Sequence, residues 1–222
     1  LVNTEPHSDH IMGNAYFPGL EVIGQTGMRE RYNKAIEQMI SLERTQRMQE
    51  NDPDSVWLLN NPSYPPNPPT NLFDKNITIE LGNQKIHCLH HPGHTPPQTS
   101  VYIPQEGVVF TGDNVFCRVK TFIQEANPWD WLSALEAINA LDVEIIVPGH
   151  GEPCGKAYLK EQAQIINDWV GAVQQFIKRG LLLEDALNEP VPQVDPYPIG
   201  QRLFGFTDNL DKLIIKNLYA QI

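Results

Sequence analysis

The residues of this chain that could do chemistry fall into four short clusters. Glu5-Pro6-His7-Ser8-Asp9-His10 packs two imidazoles and two carboxylates into one short run. Pro92-Gly93-His94-Thr95-Pro96, Thr111-Gly112-Asp113 and Pro148-Gly149-His150-Gly151 each add one more such group beside a glycine. Imidazoles and carboxylates are hard-to-borderline donors that suit Zn, Fe or Mn, and one bridging carboxylate lets such a set hold two ions. A metal pair lowers the pKa of a bound water toward neutrality and polarises the carbonyl under attack. Glycine beside a ligand lets the backbone turn sharply and approach an ion closely. Each cluster also has a plainer explanation. His7, Asp9 and His10 alone would be a solvated polar loop, His94 a turn histidine, and Asp113 a turn aspartate after a strand. Their recurrence, each at the end of a strand-like run, favours one shared centre.

The elements that must position these groups can be read from periodicity. Leu1–Thr4 reads as the end of a buried strand whose partners are expected upstream, and Leu20–Gly24 as a short strand. Met28 to about Glu50 has helical spacing, with Met28, Tyr32, Ala35, Ile36, Met39 and Ile40 on one face. Residues 51–71 carry Asn-Asn-Pro, Tyr-Pro-Pro and Asn-Pro-Pro and read as a long loop or lid. Ile77–Leu81 and Gln84–His90 flank Gly82-Asn83 as a hairpin, and Ser100–Ile103 and Val108–Thr111 flank a second turn. Later come a helix over Trp131–Leu141, an apolar strand over Val143–Val147 and a long helix over Lys156–Arg179 closed by Gly180. Glu184–Asn188 reads as a short turn, Val191–Pro198 as a second Pro-rich loop, and Asp208 to about Ala220 as a last helix with Thr207 as N-cap. Hairpins followed by βα units predict a layered α/β sandwich in one domain spanning 1–222.

Composition narrows the function classes. The chain has 222 residues, 41% of them hydrophobic, enough for one sizeable core. A net charge of −11 repels phosphate backbones, so no nucleic-acid partner is expected. No apolar run is long enough to cross a bilayer, so no membrane partner is expected. Cys88, Cys117 and Cys154 are odd in number and form no CxxC pair. Nothing marks a compartment, and a cytoplasmic setting is the default expectation. The faces of the 28–50 helix and of the last helix leave a homodimer open.

In order, spacing and flanking residues the four clusters resemble the metallo-β-lactamase superfamily, whose pattern runs HxHxDH, His, Asp, His. His10-x-x-Gly13-Asn14, Pro-Gly-His-Thr-Pro, Phe-Thr-Gly-Asp and Pro-Gly-His-Gly look like its glyoxalase II and lactonase branch. The resemblance covers residues 1 to about 155; residues 156–222 are a helical part without a motif. It implies an αββα sandwich, here expected to lack its N-terminal strands. It also implies one site from Glu5, His7 and His94, a second from Asp9, His10 and His150, and Asp113 as the bridge. Two Zn ions are the expectation, with Fe or Mn as alternatives. Asp9 and Asp113 are the expected catalytic groups, Asp9 orienting the nucleophile or relaying a proton. β-Lactamases usually place Cys or Ser where Asp113 stands, so β-lactam hydrolysis ranks lower. Glu5 replaces the first histidine of the pattern. It is either a ligand that makes the first site less electrophilic, or a group just outside it.

The expected activity is hydrolysis of a small-molecule ester, thioester or lactone by a metal-activated hydroxide. A mononuclear iron oxidoreductase similar to persulfide dioxygenases, using His7, His94 and Asp113, is the alternative. A weakly active or non-enzymatic member of the family is a third reading. Trp57, Tyr64 and Trp129 are candidates for an aromatic wall over the metals, against plain loop packing. His87, His90 and His91 are read as structural or surface groups, Cys88 as core and Cys117 as a loop thiol.

Overall fold

The computed structural model describes residues 1–51, 53–199 and 209–222. Its centre is a five-stranded sheet in the order β3-β4-β5-β6-β7. β3 (Asn76–Leu81) and β4 (Gln84–His90) form the expected hairpin. β5 (Thr99–Ile103) and β6 (Val108–Cys117) continue it antiparallel, and β7 (Ile145–Gly151) joins β6 in parallel. A second, small parallel sheet pairs β1 (Ile23–Gln25) with β2 (Asn71–Phe73). Of residues 1–4, Val2 forms a parallel bridge to Ile23 of β1, and the Thr4 carbonyl accepts from the Thr99 amide of β5 at 2.8 Å.

Two cores hold the layers. Against β6 and β7 pack α5 (Pro128–Ala140), α6 (Ala157–Lys178) and α8 (Leu210–Gln221), which bury Trp131, Ile138, Ile166, Trp169, Ile214 and Leu218. On the other face of the sheet, Cys88 of β4 meets Ile23 and Phe73 of the small sheet, so Cys88 is core as expected. This α/β layering has α5, α6 and α8 on one face of the main sheet and the small sheet on the other.

Several boundaries differ from the expected ones. The first helix is short, α1 (Ser8–Ile11), and the region read as one helix from Met28 is two, α2 (Met28–Met39) and α3 (Leu42–Asn51). Ser41 breaks it: its hydroxyl donates to the Gln38 carbonyl at 2.8 Å and accepts from the Arg44 amide at 3.3 Å, as an N-cap does. The 51–71 stretch is not all loop, because α4 (Ser55–Leu59) lies within it. α5 starts at Pro128 rather than Trp131, since proline is tolerated at the first helical position and the Asn127 side chain accepts from the Trp129 and Asp130 amides. Gly180 (φ +76°) follows α6 as predicted. The segment read as the turn Glu184–Asn188 contains α7 (Leu183–Ala186). The N-cap read at Thr207 and the helix start at Asp208 lie outside the described residues. Among the described residues no helix is long and apolar enough to cross a membrane.

The most useful difference concerns β6 and β7, which run on through their ligands instead of ending before them. The β6–β7 register shifts between Phe110 and Gly112 and again between Gly112 and Phe116. Such irregularities re-aim side chains beside functional sites. Here they surround Asp113 and set Phe116 opposite His150. Cys117 is therefore a buried strand residue, not a loop thiol.

Candidate metal centre

The four clusters meet at one edge of the sandwich. Asn3 and Asn14 tie the first to itself, each side chain donating to the other's oxygen at 3.2 and 2.8 Å. Asn3 also donates to the His10 carbonyl at 3.2 Å. This pairing gives Asn14 of the His10-x-x-Gly13-Asn14 run a structural job: it holds in place His7 and the short helix α1, which carries Asp9 and His10. At Gly149 an added Cβ would lie 1.9 Å from Asp113 Oδ1, so only glycine lets β7 come this close to the carboxylate. Gly112 (φ +50°) is equally constrained, with the Gln98 and Thr4 side chains against it.

The seven groups converge in two sets. Glu5, His7, His94 and Asp113 form one, and Asp9, His10 and His150 the other, with the donor atoms of each set within 4.8 Å of one another. His7 Nδ1 lies 3.3 Å from His94 Nε2 and 3.0 Å from Glu5 Oε2. His10 Nε2 lies 3.1 Å from both Glu5 Oε1 and Asp113 Oδ1. His150 Nε2 lies 3.2 Å from Asp9 Oδ2 and 3.4 Å from Asp113 Oδ2. These are ion-pair distances, yet Glu5 Oε1 and Oε2, His10 Nε2 and Asp113 Oδ1 are buried without an aligned hydrogen bond. Buried polar atoms are nearly always satisfied. Buried atoms of Glu5, His10 and Asp113 left without an aligned hydrogen bond, in a mixed imidazole–carboxylate set, fit a divalent cation.

The electrostatics lead to the same conclusion. Burial disfavours the charged His10 ring, but Asp113 and Glu5 push its pKa up to about 10. His150 is likewise raised to about 10, against its burial, by Asp113 and Asp9. Burial favours a neutral Asp113, yet His10, His150 and His94 hold its carboxyl well below the usual range. Without an ion, protons supply the positive charge that this buried cluster requires.

A surrounding layer aims the rings. His94 Nδ1 donates to the Phe122 carbonyl at 2.8 Å, which leaves Nε2 for the centre. The outer nitrogen of His7, Nε2, is taken by the Glu125 carboxylate, which Arg31 of α2 holds at 2.8 Å. Burial opposes ionisation of Glu125, but His7 and its other cationic neighbours lower its pKa to about 2. Asn114, next to Asp113, accepts the His94 amide on its side-chain oxygen and donates to the His91 carbonyl. The Asn114 carbonyl in turn accepts from Trp131 Nε1 and Gln162 Nε2, both at 2.9 Å. Phe116 stacks on His150 with centroids 5.3 Å apart. Glu125, Asn114 and Arg31 were missed from sequence. Asn114 alone left a trace, as a polar residue inside an apolar strand; Glu125 looked only like the approach to a helix cap.

Beside the centre lies a cavity of about 470 Å³, within the range of small-molecule sites. His7, Asp9, His94, Asp113 and His150 line its floor. Its aromatic wall is Phe116 and Phe122, which corrects the expectation for Trp57, Tyr64 and Trp129. Trp57 is 78% and Trp129 47% exposed, and neither lines the cavity. Tyr64 packs on the cluster of Ile11, Met28, Tyr32 and Met39 and donates to the Met39 carbonyl at 3.3 Å. Trp57 sits on the outer side of the short α4 and Trp129 on that of the first turn of α5, where hydrophobicity alone cannot set direction. Arg44 also faces the cavity; it donates to Ser8 Oγ at 2.5 Å and pairs with no carboxylate among the described residues. His87, His90 and His91 stay outside, bonded to Thr78, Pro96 and Ser100.

Residues 1–150 match the model of the metallo-beta-lactamase superfamily. The chain is 22% identical over 155 residues to a linear primary-alkylsulfatase of a Pseudomonas strain, covering 64% of this chain and 28% of that protein. It is 33% identical over 83 residues to the hydroxyacylglutathione hydrolase of Bartonella henselae, covering 37% of this chain and 31% of that one. The chain thus spans under a third of the length of either. A solved structure of a stereoselective inverting sec-alkylsulfatase from Pseudomonas superposes with a TM-score of 0.60 at 16% identity, over 97% of this chain and 40% of that one. That likeness bears on the fold alone.

Proposed function

From the premise that the chain belongs to the metallo-β-lactamase superfamily, we propose that it is a metal-dependent hydrolase of an ester, thioester or lactone. The observation that carries this reading is the convergence of seven ligand-type side chains, among which Glu5, His10 and Asp113 keep buried atoms without an aligned hydrogen bond. Glu5, His7 and His94 would hold one ion and Asp9, His10 and His150 another, with Asp113 between them. When bound, such a pair supplies Lewis acidity toward the substrate and makes a water nucleophilic near neutral pH.

The chain's own residues do the rest. Phe116 and Phe122 offer an apolar wall to an acyl or ring group and exclude water from the reacting bond. Asp9 is the most exposed of the seven, so it can accept a proton from an attacking water and pass it to solvent. Arg44 sets a positive charge on the cavity wall that favours the polar end of a substrate or leaving group. Glu125 keeps the proton on His7 Nε2 and so presents Nδ1 to the centre.

The test is a panel of aryl and alkyl esters, thioesters and lactones with metal-loaded protein. Similarity to an alkylsulfatase adds alkyl sulfate esters to the panel. Turnover is expected for at least one class and is lost in His94→Ala. A panel left wholly untouched by protein carrying two ions overturns the reading. One observation favours a second reading: His7 Nδ1, His94 Nε2 and Asp113 Oδ2 lie close together, with Asp113 Oδ2 3.6 Å from His94. Two histidines and a carboxylate suit a mononuclear iron oxidoreductase. One Fe per chain with oxygen consumption would select it.

A further inference from the structure

We infer that Glu5 is a second carboxylate bridge, spanning the two halves of the centre alongside Asp113. The inference rests on the metal-dependent reading above and deepens it.

The two oxygens of Glu5 face different ligand sets. Oε2 lies 3.0 Å from His7 Nδ1, and Oε1 lies 3.1 Å from His10 Nε2. Asp113 shows the same division, with Oδ1 3.1 Å from His10 Nε2 and Oδ2 3.6 Å from His94 Nε2. Both Glu5 oxygens are buried, the side chain is fully inaccessible, and neither oxygen has a hydrogen-bond partner. A carboxylate that bound one ion would turn its second oxygen to a donor or to water. A carboxylate that only steadied a ligand would take the N–H of that ligand's outer ring nitrogen. At His7 that outer nitrogen belongs to Glu125, and Glu5 approaches the inward-facing one instead.

Side-chain chemistry explains why the replacement matters. Each imidazole nitrogen has one lone pair, so histidine at position 5 serves one ion. A carboxylate has two oxygens with about four acceptor sites and can serve two. Glu5, Asp9 and Asp113 then place three negative charges among four imidazoles. Burying that charge is costly without cations, and a carboxylate-rich set favours hard to borderline first-row ions such as Mn(II) and Fe(II).

The experiment titrates chelator-stripped wild type, Glu5→Gln and Glu5→His with Mn(II). Occupancy at each half is read from anomalous scattering in crystals of the titrated protein. Wild type is expected to hold two ions. Glu5→Gln should lose more than about tenfold in affinity at both halves, beyond what an outer partner contributes at the low end. Glu5→His should recover only the His7–His94 half. A loss in Glu5→Gln confined to that half, or recovery of both halves in Glu5→His, makes Glu5 a terminal ligand and overturns the bridge. Unchanged affinity at both halves overturns it as well. Should Glu5→Gln not fold, Glu5→Asp, one methylene short, should hold only one half firmly, and two wild-type affinities there refute the bridge. Wild type that takes up no ion defeats the metal-dependent reading itself, which distinguishes the two failures.

Discussion

The side of the centre carried by the five-stranded sheet and the side covered by α2 and α3 are held by different means. On the sheet side, His94, Asp113 and His150 grow out of β-structure backed by the main core. Trp131, Gln162 and Asn114 form a buried hydrogen-bonded clamp behind them. On the helical side, α3 buries only Met48 among its described residues. That side meets the centre through Arg31–Glu125 and Arg44–Ser8, and through Met28, Tyr32 and Met39 of α2, which cluster with Ile11 beside His10. The contrast assigns tasks: the sheet side carries His94, Asp113, His150 and the Phe116 wall, while the helical side adds Arg44 to the cavity and, through Glu125, the hold on His7.

The comparison can be broken hardest at Asp113. Asp113→Ala should empty both halves of the centre and cut ester turnover beyond the about 100-fold that loss of an outer partner costs. Elemental analysis with initial rates checks this. Next is the clamp. Trp131→Ala removes a fully buried ring and its bond to Asn114, and should cost about 3–5 kcal/mol of stability, read by calorimetry. An equal loss from emptying the helical side would erase the distinction.

Glu125→Gln sharpens the contrast, because it cuts the hydrogen-bonded link from Arg31 of α2 to His7. Metal affinity at the His7–His94 half should fall about tenfold, with the melting temperature nearly kept; chelator competition measures it. A pH series gives a subtler test. In the metal-free protein His10 and His150 are raised from 6.5 to about 10. Their contribution to stability is present below the ordinary imidazole pKa and is lost as pH rises through about 10. Stripped protein should therefore melt progressively lower from pH 7 to pH 10, while loaded protein, its sites already deprotonated, should not. Smallest is Arg44→Ala, expected to raise KM severalfold and to shift stability within about 0.5 kcal/mol. A fall in kcat with KM unchanged would move Arg44 from substrate wall to reaction.

Much of this was legible in the chain. The hairpin around Gly82-Asn83 and the long helix ended by Gly180 stand where spacing placed them, and the seven ligand-type residues of the four clusters come together. The single helix from Met28 was not, because a serine cap competes with helical periodicity and wins locally. Nor was the aromatic wall: Trp57 and Trp129 have the right chemistry, but their helices turn them to solvent.

Local spacing determined which groups could bind an ion and which elements would carry them, because helix and strand periods are properties of neighbouring residues. The folded chain alone decided which nitrogen of each imidazole faces inward, that Glu125 backs His7 across more than a hundred residues, and that Glu5 lies between both halves. Those outcomes depend on packing between distant segments, and a side chain's aim is set by what it meets there.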